Sequence, residues 1–394
     1  MSGIKDVKRR NARRRRRKKQ RHLLVLFLLL ALFIGVIGGT RAVMLRSKED
    51  KAAKTAATSN KTDKTTEDKS EQTSSNVDVQ EIKIDTGDPE SKKEVSITIS
   101  SMGDCTLGTD VNFNQSTSLN AYYNMNGPDY FFQNVRSILE KDDLSIVNME
   151  GTLTDSTTRE DKTYAFKAPA EYAGILSGSS VEAANLANNH SSDYGSQSNT
   201  DTIKALEDAG VATFGFDQTK ILDIKGVKVG LTGIYELAEH MGKAEQVKEN
   251  IAALKEAGAQ LIIVNFHWGM EKEYYPDDTQ KQLAHLAVDS GADLVIGHHP
   301  HVLQGVEKYK DKYIAYSLGN FCFGGNSNPS DKDTMIVQQT FTFQKGELKE
   351  SSDLNLIPCS LSSTSSHNDY CPTPLEGDEK QRVLDKITQY STNL

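Results

Sequence analysis

Cysteine is scarce in this chain, with four residues in 394. A fold held together by a disulfide lattice is thereby excluded. Cys359 and Cys371 can bridge across the C-terminal segment, and Cys105 and Cys322, each next to a strand-end motif, can meet. Four buried free thiols fit the sequence as well. Basic residues are short everywhere except at the start. Residues 1–22 hold 12 Lys and Arg against Asp6 alone, a balance of +11, and the remainder carries 34 basic against 53 acidic residues, or −19. So acidic a body is a poor nucleic-acid binder, because such affinity comes largely from neutralising phosphates. No internal repeat recurs at a fixed period. With 37% hydrophobic and 25% charged residues the chain is neither wholly disordered nor a polytopic membrane protein. Its length accommodates one large domain or two modest ones, plus tails.

One long apolar run does occur. Leu23 to Gly39 (LLVLFLLLALFIGVIGG) contains no charge, and about 17–25 apolar residues cross a bilayer as a helix. The twelve cations before it predict a cytoplasmic tail over 1–22, a signal-anchor over 23–45 and a C-terminal bulk outside the cell membrane. A cleaved signal peptide fits less well, since the run exits through Gly38-Gly39-Thr40-Arg41, without an Ala-x-Ala-like site. Residues 46–93 are rich in Lys, Thr, Ser, Ala, Glu and Asp and read as a disordered polar stalk, unable to bury enough surface to offset its ordering entropy.

Alternation in VSITIS (Val95 to Ser100) predicts a half-buried strand, and buried strands follow at Leu144 to Val147, Val227 to Gly233, Leu261 to Phe266, Asp293 to Gly297 and Tyr313 to Gly319. Between them lie helical stretches at 199–209, 243–257 and 277–290. Each stops at a glycine, the residue that best adopts the left-handed cap. Alternating strands and helices predict α/β layers over 94–360. The tail at 361–394 reads as irregular, with a short helix over 379–389.

The strand ends collect polar residues. They are Gly103-Asp104, Asn148-Met149-Glu150-Gly151, Asn188-Asn189-His190, His267-Trp268-Gly269 and Gly297-His298-His299-Pro300-His301; five of the nine histidines fall here. Ligands gather beyond the carboxyl ends of strands in α/β sheets, so these segments can converge although they span nearly 200 residues. A mixed oxygen and nitrogen set suits Mn, Fe or Zn, and the thiolates of a structural zinc site are absent. His267 or Asp104 alone carries little weight. Three histidines in four positions straight after a buried strand have no packing rationale.

At these residues the chain resembles the CapA/PgsA proteins of poly-γ-glutamate capsule synthesis, in the calcineurin-like metallophosphatase superfamily. The likeness runs from about Ile97 to Phe323, through Gly103-Asp104, Asn148-x-Glu150-Gly151, NLANNHSSDYG (Asn185 to Gly195), His267-Trp268-Gly269-x-Glu271, GADLVIGHHPHV (Gly291 to Val302) and YSLGNF (Tyr316 to Phe321). The basic head, single anchor and polar stalk share that layout. The resemblance implies a two-sheet sandwich flanked by helices with a two-metal site at one edge. Asp104 corresponds to the first metal-binding Asp and Glu150 to the bridging carboxylate; Asn189 would hold the second metal. His267, His299 and His301 would complete the two shells, with His299 preferred to His298. His190 would act as general acid or orient a phosphate, and Thr106, Asn148, Asp193, Glu271 and Asn320 would line the site. Two departures weaken the first metal position. Thr106 stands where a His ligand belongs, and Asn148-Met149-Glu150 replaces a Gly-Asp motif.

Two functions follow as expectations. One is a role in capsule synthesis or export beside membrane-embedded polyglutamate synthase subunits, with an anionic polymer handled at the old phosphatase cleft. The other is a metal-dependent phosphoesterase of the cell envelope unrelated to capsule. Whether hydrolysis occurs is left open between them.

Overall fold

The computed structural model describes residues 78–84 and 94–394. The basic tail, the expected anchor and most of the stalk lie outside the described residues. Among the described residues no helix is long and apolar enough to cross a membrane.

The chain is mixed α/β, built on two large sheets. The first orders, edge to edge, Asp78–Ile84, Gln218–Ile224, Val227–Tyr235, Leu261–His267, Leu294–His298, Lys312–Ala315 and Val306–Tyr309. The second orders Thr373–Pro374, Asn355–Ser360, Asp333–Gln344, Glu94–Thr106, Leu144–Met149, Ala183–Asn185 and Ala212–Phe214; Asn320–Phe323 pairs with Glu94–Thr106 and Glu347–Ser351 with Asp333–Gln344. A small third sheet joins Thr109–Asp110, Phe166–Ala168 and Thr152–Leu153.

Side-chain alternation stacks the two large sheets. Successive residues of a strand point to opposite faces. Leu261 and Ile263 therefore share a cluster with Ile97, Ile99, Leu144 and Ile146 of the second sheet. Ile262, Val264 and Phe266 face away, onto Val247, Ile251 and Leu283. Those residues belong to helices Ala244–Glu256 and Asp278–Ser290, which cover the outer face of the first sheet. Val147 and Met149 likewise turn outward, to Leu176 and Leu206 on helices Ala173–Ser177 and Ser196–Asp208. Each fully buried Leu or Ile contributes about 1.5–3 kcal/mol relative to exposure, so the three clusters set the order of layers.

The helix Asp278–Ser290 shows how local chemistry sets its ends. Asp277 accepts from the Gln280 backbone, and the Gln280 side chain returns the bond to the Asp277 N–H, closing a capping box. At the other end Gly291 has φ 112°, a left-handed cap conformation that a side chain would strain.

The structure differs from the sequence expectation at both ends of the domain. Residues 78–84, placed in the polar stalk, form a strand in parallel pairing with Gln218–Ile224. Val79 packs on the first sheet's helix-side cluster, and Lys220 Nζ donates to Gln80 Oε1 at 2.6 Å. The pattern was obscured by Asp, Gln, Glu and Lys, which an edge strand tolerates. At the other end, helix Gly377–Tyr390 buries Val383 and Ile387 in the cluster between the sheets, and Arg382 makes a forked ion pair to Asp333 at 2.7 and 2.8 Å. The short helix expected over 379–389 is thus present, and what differs is that the tail beyond 360 is part of the packed body. All four cysteines are buried and free, so neither pairing entertained from sequence forms. Burial pushes the Cys105 and Cys359 thiols up to about 12, which leaves them inert as nucleophiles.

Candidate metal centre

Parallel register brings the strand-end motifs to one edge. In the second sheet Asn185, Asn148, Asp104 and Asn320 are successive register partners across four strands. In the first sheet His267 is paired with His298. The two rows meet because Asp104 Oδ1 lies 3.5 Å from His298 Nδ1 and Asp104 Oδ2 lies 3.1 Å from His301 Nδ1. Close backbone approach makes this possible: Asp104 N–H donates to Gly319 C=O at 2.9 Å, and a Cβ on Gly103 would sit 2.1 Å from that same oxygen.

Glu150 is at the centre. Its carboxylate is buried, and neither oxygen has a hydrogen-bond partner. Three imidazoles surround it, with His301 Nε2 at 3.7 Å, His267 Nε2 at 3.8 Å and His190 Nε2 at 3.9 Å. A buried carboxylate without donors is costly, and burial pushes the Glu150 pKa up to about 8. Divalent cations relieve that cost. Two ligand groups share Glu150: Asp104, Glu150 and His301 form one, and Glu150, His267 and His299 form the other. Within each, the candidate ligand atoms lie within 4.8 Å of one another. Asn189 Oδ1 reaches His267 Nε2 at 2.7 Å, adding a neutral oxygen beside the second group. The residues present therefore fit transition-metal ligation by oxygen and nitrogen donors.

The two groups differ in charge. Burial first, then the other histidines, pulls the His267 pKa well below the usual imidazole value and brings His299 down to about 4. Both rings are neutral and ready as ligands, and His299 Nδ1 is itself without a partner. Burial opposes charge on His301 too, but Glu150 and Asp104 outweigh it and push its pKa up to about 10. Asp104 is held well below the carboxylate range by His298 and His301 in spite of its burial. His299 and His301 both take positive φ, 95° and 57°, a strained backbone of the kind that persists where surrounding structure over-determines it.

The flanking residues divide by contact. His298 is buried, with its Nε2 3.3 Å from Asn265 Oδ1; it braces Asp104 and belongs to neither ligand group. Asn320 accepts at Oδ1 from His301 Nδ1 at 2.9 Å and donates to the His301 carbonyl at 3.1 Å. Asn148 donates to Asp104 Oδ1 at 2.8 Å. His190 Nδ1 sits 2.7 Å from Asp193 Oδ2, which leaves Nε2 toward Glu150. Glu271 is exposed at the rim of a cleft of about 590 Å³ that His190, His301 and Asn320 also line. Thr106, standing where the resemblance expects a histidine, is buried with an unpartnered hydroxyl.

Sequence reasoning gave no role to three supports. Asn185 and Asn188 donate to Asn148 Oδ1 at 3.0 and 3.3 Å and orient that amide. Lys162, from the charged loop 154–165, donates to Asp193 Oδ1 at 2.6 Å and to the Asn189 carbonyl at 2.8 Å, fixing the His190 loop from outside. Nothing in the period or spacing of that loop marks Lys162. Asn185, the last residue of strand Ala183–Asn185, was visible only as part of a motif.

Residues 98–325 match the family model described as bacterial capsule synthesis protein PGA_cap. The chain is 32% identical over 275 residues to the capsule biosynthesis protein CapA of Bacillus anthracis, covering 63% of this chain and 64% of that one. It is 32% identical over 236 residues to the PGA biosynthesis protein CapA of Bacillus subtilis (strain 168), covering 54% and 61%. A probable polyglutamine synthesis accessory protein of Mycobacterium tuberculosis is 26% identical over 209 residues, covering 45% and 55%. The chain thus spans between 55% and 64% of the length of these relatives. Since the matched stretch contains every strand-end motif that builds the centre, the chain belongs to the bacterial capsule synthesis PGA_cap family.

Proposed function

We propose that this protein serves poly-γ-glutamate capsule synthesis or export as a membrane-anchored component facing outward, working through a metallophosphatase-like site for two divalent transition ions. The observation that carries the metal reading is the Glu150 carboxylate, buried without a single donor among three imidazoles at 3.7 to 3.9 Å. The capsule reading rests on family membership and on the names of its relatives, one of them a synthesis accessory protein; in this reading its partners are membrane-embedded synthase subunits. Residues 23–39 supply the anchor in this reading.

Asp104, Glu150 and His301 would hold one ion, and Glu150, Asn189, His267 and His299 the other. Such a pair supplies Lewis acidity toward a phosphoryl oxygen and a water acidic enough to attack at neutral pH. The protein's own groups do the rest. Asp193 fixes His190 Nδ1 and Lys162 fixes Asp193, so that His190 Nε2 is presented to the cleft. Asn148 and His298 hold Asp104.

This machinery for bond cleavage also favours the second reading, a phosphoesterase of the envelope unrelated to capsule. Metal analysis of the purified full chain, combined with hydrolysis of 4-nitrophenyl phosphate and bis(4-nitrophenyl) phosphate, tests the site. Surface polyglutamate in cells carrying Glu150→Gln separates the readings: lost polymer supports the capsule role, and undiminished polymer with lost hydrolysis supports the alternative.

A further inference from the structure

Next to the centre the cleft narrows to a slot with aromatic walls. On one side Phe166 packs against His190, ring centroids 4.7 Å apart. Tyr164 lies parallel to Phe166 at 6.4 Å and 7°, and Phe113 meets Tyr164 edge-on at 5.8 Å. On the other side Phe323 packs against His301 at 5.6 Å. Gly325 forms the floor: a Cβ there would come 2.5 Å from the Phe323 ring and 3.2 Å from the Phe166 ring. All of these residues line the same cleft as His190 and His301. Tyr164 is 51% exposed, an aromatic surface at the cleft mouth.

The slot's charge is the second observation. Among the described residues that line the cleft, Lys272 is the one lysine or arginine, and two carboxylates, Glu271 and Asp331, share the lining with it. A run of carboxylates finds no basic track here. A flat ring does find complementary surface, since offset or edge-on aromatic contacts contribute about 0.5–1.5 kcal/mol beyond their buried area.

We propose that the slot receives a ring borne by the substrate, aromatic or sugar, so that the substrate class is a ring-bearing phosphoester. The proposal rests on the metallophosphatase-like reading of the site. In hydrolysis the phosphorus–oxygen bond to the leaving group breaks, a water oxygen bonds to phosphorus, and the proton that the water releases balances the one that the leaving oxygen takes up. The ring meets Tyr164, which is exposed at the cleft mouth. Tyr164, Phe113 and Gly325 are thus specificity-determining residues.

The test uses the full chain in detergent, loaded with Mn, with binding of phenylphosphonate and methylphosphonate measured by calorimetry. The wild-type protein should bind phenylphosphonate tighter by on the order of 10-fold. Tyr164→Ala, which removes an exposed ring and spares the core, should reduce that preference to about 3-fold or less, with methylphosphonate affinity and Mn content unchanged. Gly325→Ala, which narrows the floor, should do the same. Equal binding of the two phosphonates by the wild type, or a preference that survives both substitutions, overturns the inference alone. Failure of either phosphonate to bind the Mn-loaded protein overturns the phosphoesterase reading and the inference with it.

Discussion

The Asn148 amide donates to Asp104 Oδ1 at 2.8 Å and lies 3.3 Å from His267 Nδ1. One side chain therefore touches a candidate ligand of each metal group, one from each sheet. Its carbonyl oxygen, engaged by Asn185 and Asn188, fixes which way the amide points. Partners that orient metal ligands are commonly worth about 10–100-fold in affinity. Asn148→Ala is expected to weaken Mn or Zn binding by that factor while the fold is retained, as read by metal titration alongside circular dichroism. Unchanged affinity would remove Asn148 from the design.

Unequal occupancy of the two positions follows from their ligand sets. The group with His267 and His299 has two neutral imidazoles, Asn189 and Glu150; the group with Asp104 and His301 has Thr106 in place of a further histidine. The purified protein should carry nearer one equivalent of transition metal than two, with the second recovered on adding Mn or Zn. His299→Ala should remove the tight ion and Asp104→Ala mainly the weak one, measured by elemental analysis. Thr106→His should raise occupancy toward two. A wild-type protein without metal after incubation with Mn and Zn would defeat the ligand assignment.

Metal loading should rise with pH, and protons should be released on binding. In the metal-free protein burial pushes Glu150 up to about 8, and the Glu150 and Asp104 carboxylates push His301 up to about 10, so at pH 7 the pair holds a proton that a bound ion must displace. His267 and His299 lose no proton of their own, since those rings are already neutral. The tight ion should therefore bind over the whole neutral range, while the weak one strengthens from about pH 7 upward. Titration in dilute buffer at two pH values measures the released protons, and uptake of protons would contradict the picture.

Asp142 offers a test away from the site. Burial, above all, pushes its pKa up to about 7, although Ser145 Oγ donates to it at 2.8 Å. A carboxyl whose folded pKa is raised favours folding while protonated. That contribution is full below the unfolded value near 3.9 and is lost as pH rises through 7. Asp142→Asn should therefore stabilise the protein at pH 8 by about 1–3 kcal/mol and change little at pH 4. Denaturant unfolding at the two pH values measures the difference, and equal shifts would refute it.

The proposed topology predicts that protease added to intact cells releases the folded domain by cutting within residues 48–77. The cut should fall before Asp78, because residues 78–84 are paired in the first sheet. Protection of the segment in intact cells would overturn the outward orientation.

What the sequence determined by itself was what repeats locally. Period-two and period-3.6 patterns placed the buried strands and the helices within a few residues of Ser196–Asp208, Ala244–Glu256 and Asp278–Ser290. Gly210, Gly258 and Gly291 all adopt the positive φ their positions implied, because a helix end is decided by the few residues around it. Motifs at strand ends were legible for the same reason: a polar cluster after an apolar run has no packing use. Tertiary structure alone decided which of those residues meet, and at what charge. The register that aligns Asn185, Asn148, Asp104 and Asn320 joins segments more than 130 residues apart. The opposed titration of His299 and His301, two positions apart in sequence, comes from burial of the first ring and from Glu150 and Asp104, brought in from distant segments, beside the second. The edge strand 78–84, Lys162 in its loop and the aromatic slot have no periodic signature. They are set by the surfaces they pack against, which exist only once the sheets have stacked.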